Sequence, residues 1–235
     1  SVTFDIAEGE VCGLIGPNGA GKTTLFNCLS RLYECNPGRI VFGGVEITRL
    51  PRSEMATLGI GRTFQNLALF RTMSVRDNVR VGSHCRTKSG FLANALRGRA
   101  VREEEDAVES HASQLISMLE LDAVADIPVA DLPFGTQKRV EFARALAARP
   151  RLLLLDEPAA GLNHEEVAAL GGLIRTVRDR LHVTVLLVEH HMSLVMDISD
   201  KVVALNFGRK IAEGTPAEVR QHPDVIQAYL GASAA

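Results

Sequence analysis

The chain has 235 residues, 46% of them hydrophobic and 23% charged, enough to bury a sizeable core as one domain with a subdomain or insertion. A formal net charge of −2 argues against a bulk electrostatic nucleic-acid binder, and no apolar run approaches the roughly 20 residues that span a bilayer, so a membrane role must come through a partner. The four cysteines, Cys12, Cys28, Cys35 and Cys85, lack metal-ligand spacing and read as free thiols of a reducing compartment.

Taken in order, Val2, Phe4 and Ile6 alternate with polar residues and predict a half-buried strand, which Glu8-Gly9 turns into a second, buried strand, Val11 to Ile15. Next comes Gly16 to Thr24, GPNGAGKTT, which fits the phosphate-binding pattern GxxxxGK[ST]. Its glycines let the backbone curl until several N–H groups face one anion, and a helix over Thr24 to Leu32 adds its positive dipole end. Lys22 supplies a mobile cation for the outer phosphates and Thr23 a hydroxyl for Mg²⁺. Arg39 to Phe42 and Val45 to Ile47 predict a hairpin around Gly43-Gly44. A short helix near Ser53 to Leu58 and a strand from Ile60 to Phe64 follow, and the strand ends at Gln65.

From about Met73 to Asp131 the pattern becomes mainly helical, marking a candidate subdomain. Ser74 with Asp77 resembles a helix N-terminus. Val108, Leu115 and Leu119 mark an amphipathic helix between Arg102 and Leu121, with Glu103 to Asp106 as its solvated first turn. Beyond it lie a helix from Gln137 to Ala148, an apolar strand Leu152 to Leu155 ending in Asp156-Glu157-Pro158, and a helix from His164 to Arg180. A second buried strand, Val183 to Val188, ends at Glu189-His190-His191. Lys201 to Leu205 and Arg209 to Ile211 predict a closing hairpin. Thr215 to Glu218 is a capping box with Pro216 at the first helical position, and a last helix covers Asp224 to Leu230. The fold class is therefore α/β, with continuous apolar strands suited to a parallel sheet covered on both faces.

Asp156 and Glu157 stand at the end of a buried strand, where open α/β sheets bind ligands. A carboxylate there can hold the Mg²⁺ bridging the outer phosphates of a nucleotide, here assigned to Asp156 through water, while Glu157 polarises the attacking water as general base. Gln65, able both to donate and to accept, can touch Mg²⁺ or the water and move as the γ-phosphate departs. A histidine at the end of the Val183 strand can hydrogen-bond that phosphate, and His190 and His191 both stand there.

Gly16 to Thr24, Gln65, Leu132 to Gln137, Leu152 to Glu157, Gly161 to Asn163 and His190 occur in the order and spacing of an ATP-binding-cassette ATPase. The chain resembles that family along nearly its whole length. In the family these segments are the Walker A, Q loop, signature, Walker B, D loop and switch histidine, which selects His190. The resemblance implies a P-loop core with an antiparallel β part and a helical subdomain. It also implies ATP and Mg²⁺ as ligands, with Gly16, Pro17, Asn18, Gly19, Ala20, Gly21, Lys22, Thr23 and Thr24 around the phosphates, Thr23, Gln65 and Asp156 toward the metal, and Gly135 as a signature-segment donor. Two cassettes, identical or related, would sandwich two ATP and move transmembrane permease subunits from the cytoplasmic face of the membrane, serving a solute-binding protein indirectly and involving no nucleic acid. No NKxD guanine-reading motif is seen. The segments GRTFQNLALFRTMSVRDNV, LLVEHHMSLVMDISD, GTPAEVRQHPDVIQAYLG and the insert around FLANALRGRAVREEE are similar to the branched-chain amino acid importer ATPases. Lipid-export motors and soluble cassette ATPases share parts of this plan, but the latter usually carry two cassettes or a long coiled coil.

Two departures from the family pattern carry expectations. Pro133 and Thr136 replace the serine and glutamine of the usual LSGGQ signature, which predicts weaker closure around the phosphate. Family members also usually carry a strand and an adenine-stacking aromatic ahead of the position of Ser1, so the chain is expected to lack that segment and to discriminate adenine poorly.

Overall fold

The computed structural model describes residues 2–63, 67–86 and 99–232. They fall into two units, one made of Ser1–Gln65 with Arg151–Ala235 and the other of Asn66–Pro150. Gln65 and residues 87–98 of the insert lie outside the described residues.

The first unit is built on a six-stranded sheet. Its strands are β1 (Val11–Ile15), β4 (Ile60–Arg62), β5 (Leu152–Asp156), β6 (Thr184–Val188), β7 (Lys201–Asn206) and β8 (Arg209–Gly214), ordered β4-β5-β6-β1-β7-β8. The first five run parallel and β8 closes one edge antiparallel to β7. Every residue of β1, β5 and β6 is buried, as unbroken apolar runs in a sheet covered on both faces require. A separate hairpin pairs β2 (Val41–Phe42) with β3 (Val45–Glu46). Helices α1 (Lys22–Leu29), α2 (Glu54–Leu58), α6 (His164–Leu181), α7 (Met192–Ile198), α8 (Pro216–Gln221) and α9 (Pro223–Ala232) complete the unit. The capping box expected at Thr215 is present, and Asn163 forms another with Glu166 at the start of α6. Phe26, Leu14, Leu154, Leu186 and Val203 lie in one apolar core beneath the first helix.

Several local expectations need correction. Val2, Phe4 and Ile6 do pack against the core, but no strand forms there. The carbonyls of Thr3 and Asp5 accept from the ammonium groups of Lys210 and Lys201 instead of from a neighbouring strand. The helix after the phosphate loop stops at Leu29 rather than Leu32, where Ser30 turns its hydroxyl back onto the Phe26 carbonyl. Helix α7 has no sequence-level signal, being seven residues long with no side-chain cap. It forms because Leu194, Val195 and Ile198 are buried, Val195 lying against Gly13 of β1 and Leu194 against Gly171 of α6.

The second unit is helical, with α3 (Val75–Gly82), α4 (Arg99–Met118) and α5 (Phe134–Ala147). It extends past the stretch from Met73 to Asp131 at both ends. Ser74 caps α3 through the Asp77 N–H, as its spacing implied. A β-carbon on Gly82 would stand 2.1 Å from the Arg144 carbonyl oxygen, so glycine is what allows α3 and α5 to touch there. The buried Asn78 ties down the preceding loop, accepting from the Phe70 N–H and donating to the carbonyls of Phe70, Met73 and Ser74. Because α4 is already helical at Arg99, Glu103 to Asp106 belong to its second turn and not its first. Helix α5 starts three residues earlier than expected, at Phe134, because Pro133 suits the extended position before a helix.

Candidate nucleotide site

Register decides what meets what. In the sheet Leu14 of β1 stands beside Val188 of β6, and Val188 stands beside Asp156 of β5. Three parallel strands therefore end level at one edge. From that edge emerge the Gly16–Thr24 loop, the Asp156-Glu157 pair and the Glu189-His190-His191 run.

The loop is rooted tightly and open at its tip. Gly16 and Ala20 are buried, Pro17 is half-buried, and Asn18, Gly19, Thr23 and Thr24 are exposed. A β-carbon on Gly16 would stand 2.3 Å from the Leu205 carbonyl oxygen and 2.9 Å from Ala20, so only glycine fits between the loop and β7. Gly21 adopts a left-handed conformation, φ 99°, and Lys22 opens α1 immediately after it. The amides of Lys22, Thr23 and Thr24 precede that helix's first internal bond, from the Leu25 N–H to the Gly21 carbonyl, as an anion site needs. The Lys22 ammonium folds back to donate to the carbonyls of Gly16 at 2.6 Å and Pro17 at 3.1 Å. Burial pulls its pKa below the usual lysine value, an effect opposed by the nearby Glu157 carboxylate.

Asp156 is buried and accepts from Arg62 at 2.8 Å. The same guanidinium reaches Asn27 on α1 and Ser30 just past its end, and lies 5.7 Å from the centre of the Phe26 ring. Glu157 has φ 49°, a left-handed conformation that costs energy for a residue with a side chain and is typical of functional positions. Its N–H donates to the Val188 carbonyl, and its Oε1 lies 2.7 Å from Nε2 of His190. The two histidines are thereby separated. His190 faces Glu157, whereas Nδ1 of His191 lies 3.2 Å from Glu189.

The fold thus gathers the phosphate loop, Asp156, Glu157 and His190 within the first unit. Gly135 lies in the second, in the first turn of α5. The amides of Phe134, Gly135 and Thr136 precede that helix's first internal bond, from the Gln137 N–H to the Pro133 carbonyl, and Pro133 offers no side-chain cap. Three further residues brace the site. Arg62 grips Asp156. Glu189, 1% exposed, accepts from the N–H groups of Ala159, His190 and His191 and so braces both acidic and histidine turns. The Tyr229 hydroxyl accepts from the Gly16 N–H at 2.9 Å. A charge directly after an apolar strand is a usable signal for Glu189, but Tyr229 lies 213 positions from its partner and has none.

The chain is similar to known proteins along nearly its whole length. Residues 1–160 match the ABC transporter family, and residues 209–235 match the family described as branched-chain amino acid ATP-binding cassette transporter. The chain is 44% identical to the high-affinity branched-chain amino acid transport ATP-binding protein BraF of Pseudomonas aeruginosa, over 98% of this chain and 90% of that protein. It is 40% identical to the corresponding LivG protein of Escherichia coli strain K12, over 98% and 91%. Among solved structures, the ADP conformation of MJ1267, an ATP-binding cassette of an ABC transporter, superposes with a TM-score of 0.83 at 29% identity, covering 98% of this chain and 91% of that one. CbiO1 of Clostridium perfringens, part of an ABC transporter complex, gives a TM-score of 0.81 at 30% identity, covering 96% and 85%. The chain belongs to the ABC transporter family and is one of its ATP-binding, ATP-hydrolysing cassettes.

Proposed function

We propose that this cassette is the motor subunit of a branched-chain amino acid importer, working from the cytoplasmic face of the membrane through permease subunits. The observation that carries the motor reading is the level ending of β1, β5 and β6, which lines up a phosphate loop, a carboxylate pair and a histidine. Similarity to BraF and LivG along nearly the whole chain, and the match of residues 209–235, support the substrate class. No helix among the described residues is long and apolar enough to cross a membrane, so attachment falls to the partner subunits.

In the proposed cycle the loop from Gly16 to Thr24 wraps the phosphates of ATP. The oxygen donors present, the exposed Thr23 hydroxyl and the Asp156 carboxylate, suit Mg²⁺, which keeps waters and phosphate oxygens among its ligands. When bound, Mg²⁺ neutralises charge developing on the outer phosphates. Glu157 accepts the proton of the attacking water, His190 orients that carboxylate and meets the γ-phosphate, and Gln65 reports its departure. A second cassette, a copy or a relative, closes over the nucleotide with its own Gly135 region. ATP favours the closed pair, hydrolysis removes that preference, and the helical unit passes the change to the permease.

The partner reading is tested by gentle membrane extraction of the tagged protein, followed by mass spectrometry. Recovery of two multi-span permease subunits supports it, and a solute-binding protein of the same system then identifies the solute by direct binding. Recovery with ribosomes or nucleic-acid proteins instead overturns it.

A further inference from the structure

The root of the phosphate loop is held by the far end of the chain. A β-carbon on Gly16 would stand 2.3 Å from the Leu205 carbonyl oxygen of β7, so that face of the residue admits no side chain. Its N–H donates to the hydroxyl of Tyr229, on the last helix, α9. The Gly16 carbonyl is taken by the Lys22 ammonium. Both polar groups of this one glycine are therefore engaged, one by the cation expected to meet the phosphates and the other by a residue with no place in the phosphate-binding pattern. A phenol fits the task. The ring is half-buried, and its oxygen carries lone pairs that accept an amide hydrogen; burial raises the pKa of the hydroxyl, and the Gly16 amide opposes that rise.

We infer that Tyr229 is a positioning residue for the phosphate loop, fixing the Gly16 end so that the C-terminal helix sets the affinity for ATP. The inference rests on the reading of Gly16 to Thr24 as the ATP site. The physical ground is preorganisation: a loop whose root is clamped loses less freedom when its tip amides close on an anion. Removing the hydroxyl leaves the Gly16 amide without that acceptor and lets the root sample other conformations, a cost that appears when nucleotide orders the loop. The segment that carries Tyr229 falls within residues 209–235, so tuning of this kind would be a property of the C-terminal extension and not of the phosphate loop alone.

The test compares the full-length wild type with Tyr229→Phe, which keeps the ring and deletes only the oxygen. The measurements are Mg-ATP affinity by equilibrium titration, the melting temperature without nucleotide, and exchange of the Gly16 amide hydrogen by NMR. The expected result is a roughly 3- to 10-fold weaker ATP affinity, the scale of one hydrogen bond, with faster Gly16 exchange and a nucleotide-free melting temperature close to wild type. Unchanged affinity in Tyr229→Phe beside a wild type that binds ATP overturns the inference alone. A loss of melting temperature without a change in affinity assigns the hydroxyl to structure only and overturns it too. Failure of the wild type to bind Mg-ATP overturns the underlying site reading instead.

Discussion

At the scale of single residues, the proposed mechanism rests most on Glu157. Its left-handed backbone directs the carboxylate to His190 while its N–H stays bonded to Val188 of the adjacent strand. Glu157→Gln keeps the shape and removes the base, so ATP turnover is expected to fall about 10²- to 10⁴-fold with ATP binding intact. Near-normal turnover in that variant would remove Glu157 from the mechanism. Arg62 poses a different question, because its ion pair with Asp156 is almost wholly shielded, the side chains being 10% and 7% exposed. Replacing Arg62 with Met strands a carboxylate in a buried site and is expected to cost about 3–5 kcal/mol of unfolding free energy in urea titrations. Adding Asp156→Asn to that variant should recover a large share of the loss. Without recovery, the penalty comes from the contacts of Arg62 with Asn27 and Ser30. The position of Asp156 and Glu157 was legible from sequence, because two adjacent carboxylates directly after an unbroken apolar strand stand at the strand's end whatever their partners. Arg62 was not, since an arginine in a three-residue strand looks like an ordinary surface charge until β4 and β5 are paired.

Elements are held by features with distinct pH signatures, and the β7–β8 hairpin shows one. Glu213 of β8 accepts from Lys201 of β7 at 2.7 Å and pairs with Lys210. Burial alone would raise its pKa, but the two ammonium groups win and hold it below the ordinary glutamate value of 4.5. A depressed carboxylate pKa means that the unfolded chain takes up the proton first as pH falls. The contribution of Glu213 is thus complete above the ordinary glutamate range and is lost as pH drops through and below it. Glu213→Gln should lower stability at neutral pH and flatten the stability profile below about pH 5, the edge of the glutamate titration range. A profile parallel to wild type through that range would show that the pair contributes nothing across the transition. At this scale β7, β8 and the capping box of α8 were legible from alternation and turn residues. Helix α7 was not, because its seven residues are stabilised by packing on β1 and α6 and carry no cap of their own.

For the whole molecule, the prediction concerns linkage between ATP and folding. A ligand that binds only the folded chain stabilises it by about 2.7 kcal/mol at 100 times its dissociation constant. Mg-ATP should therefore raise the melting temperature of the wild type, and the shift should nearly vanish in Lys22→Ala, which lacks the cation proposed to meet the phosphates. An equal shift in both proteins would place ATP somewhere other than the Gly16–Thr24 loop. Chelating divalent ions should abolish turnover under the proposal that Thr23 and Asp156 hold Mg²⁺; unchanged turnover would remove the metal from the proposed mechanism.

The sequence by itself determined the α/β class, the phosphate loop, the carboxylate pair and the order of most helices and strands. Each of these depends on neighbours in the chain, through apolar runs, glycine spacing and capping residues. Tertiary structure alone decided what His190 and His191 each bond to, what grips Asp156, why Val2 to Ile6 stay out of the sheet and how Tyr229 reaches Gly16. Those outcomes depend on strand register and on partners tens to hundreds of positions away. A local pattern encodes the period of an element but not the side chain that a distant element will set against it.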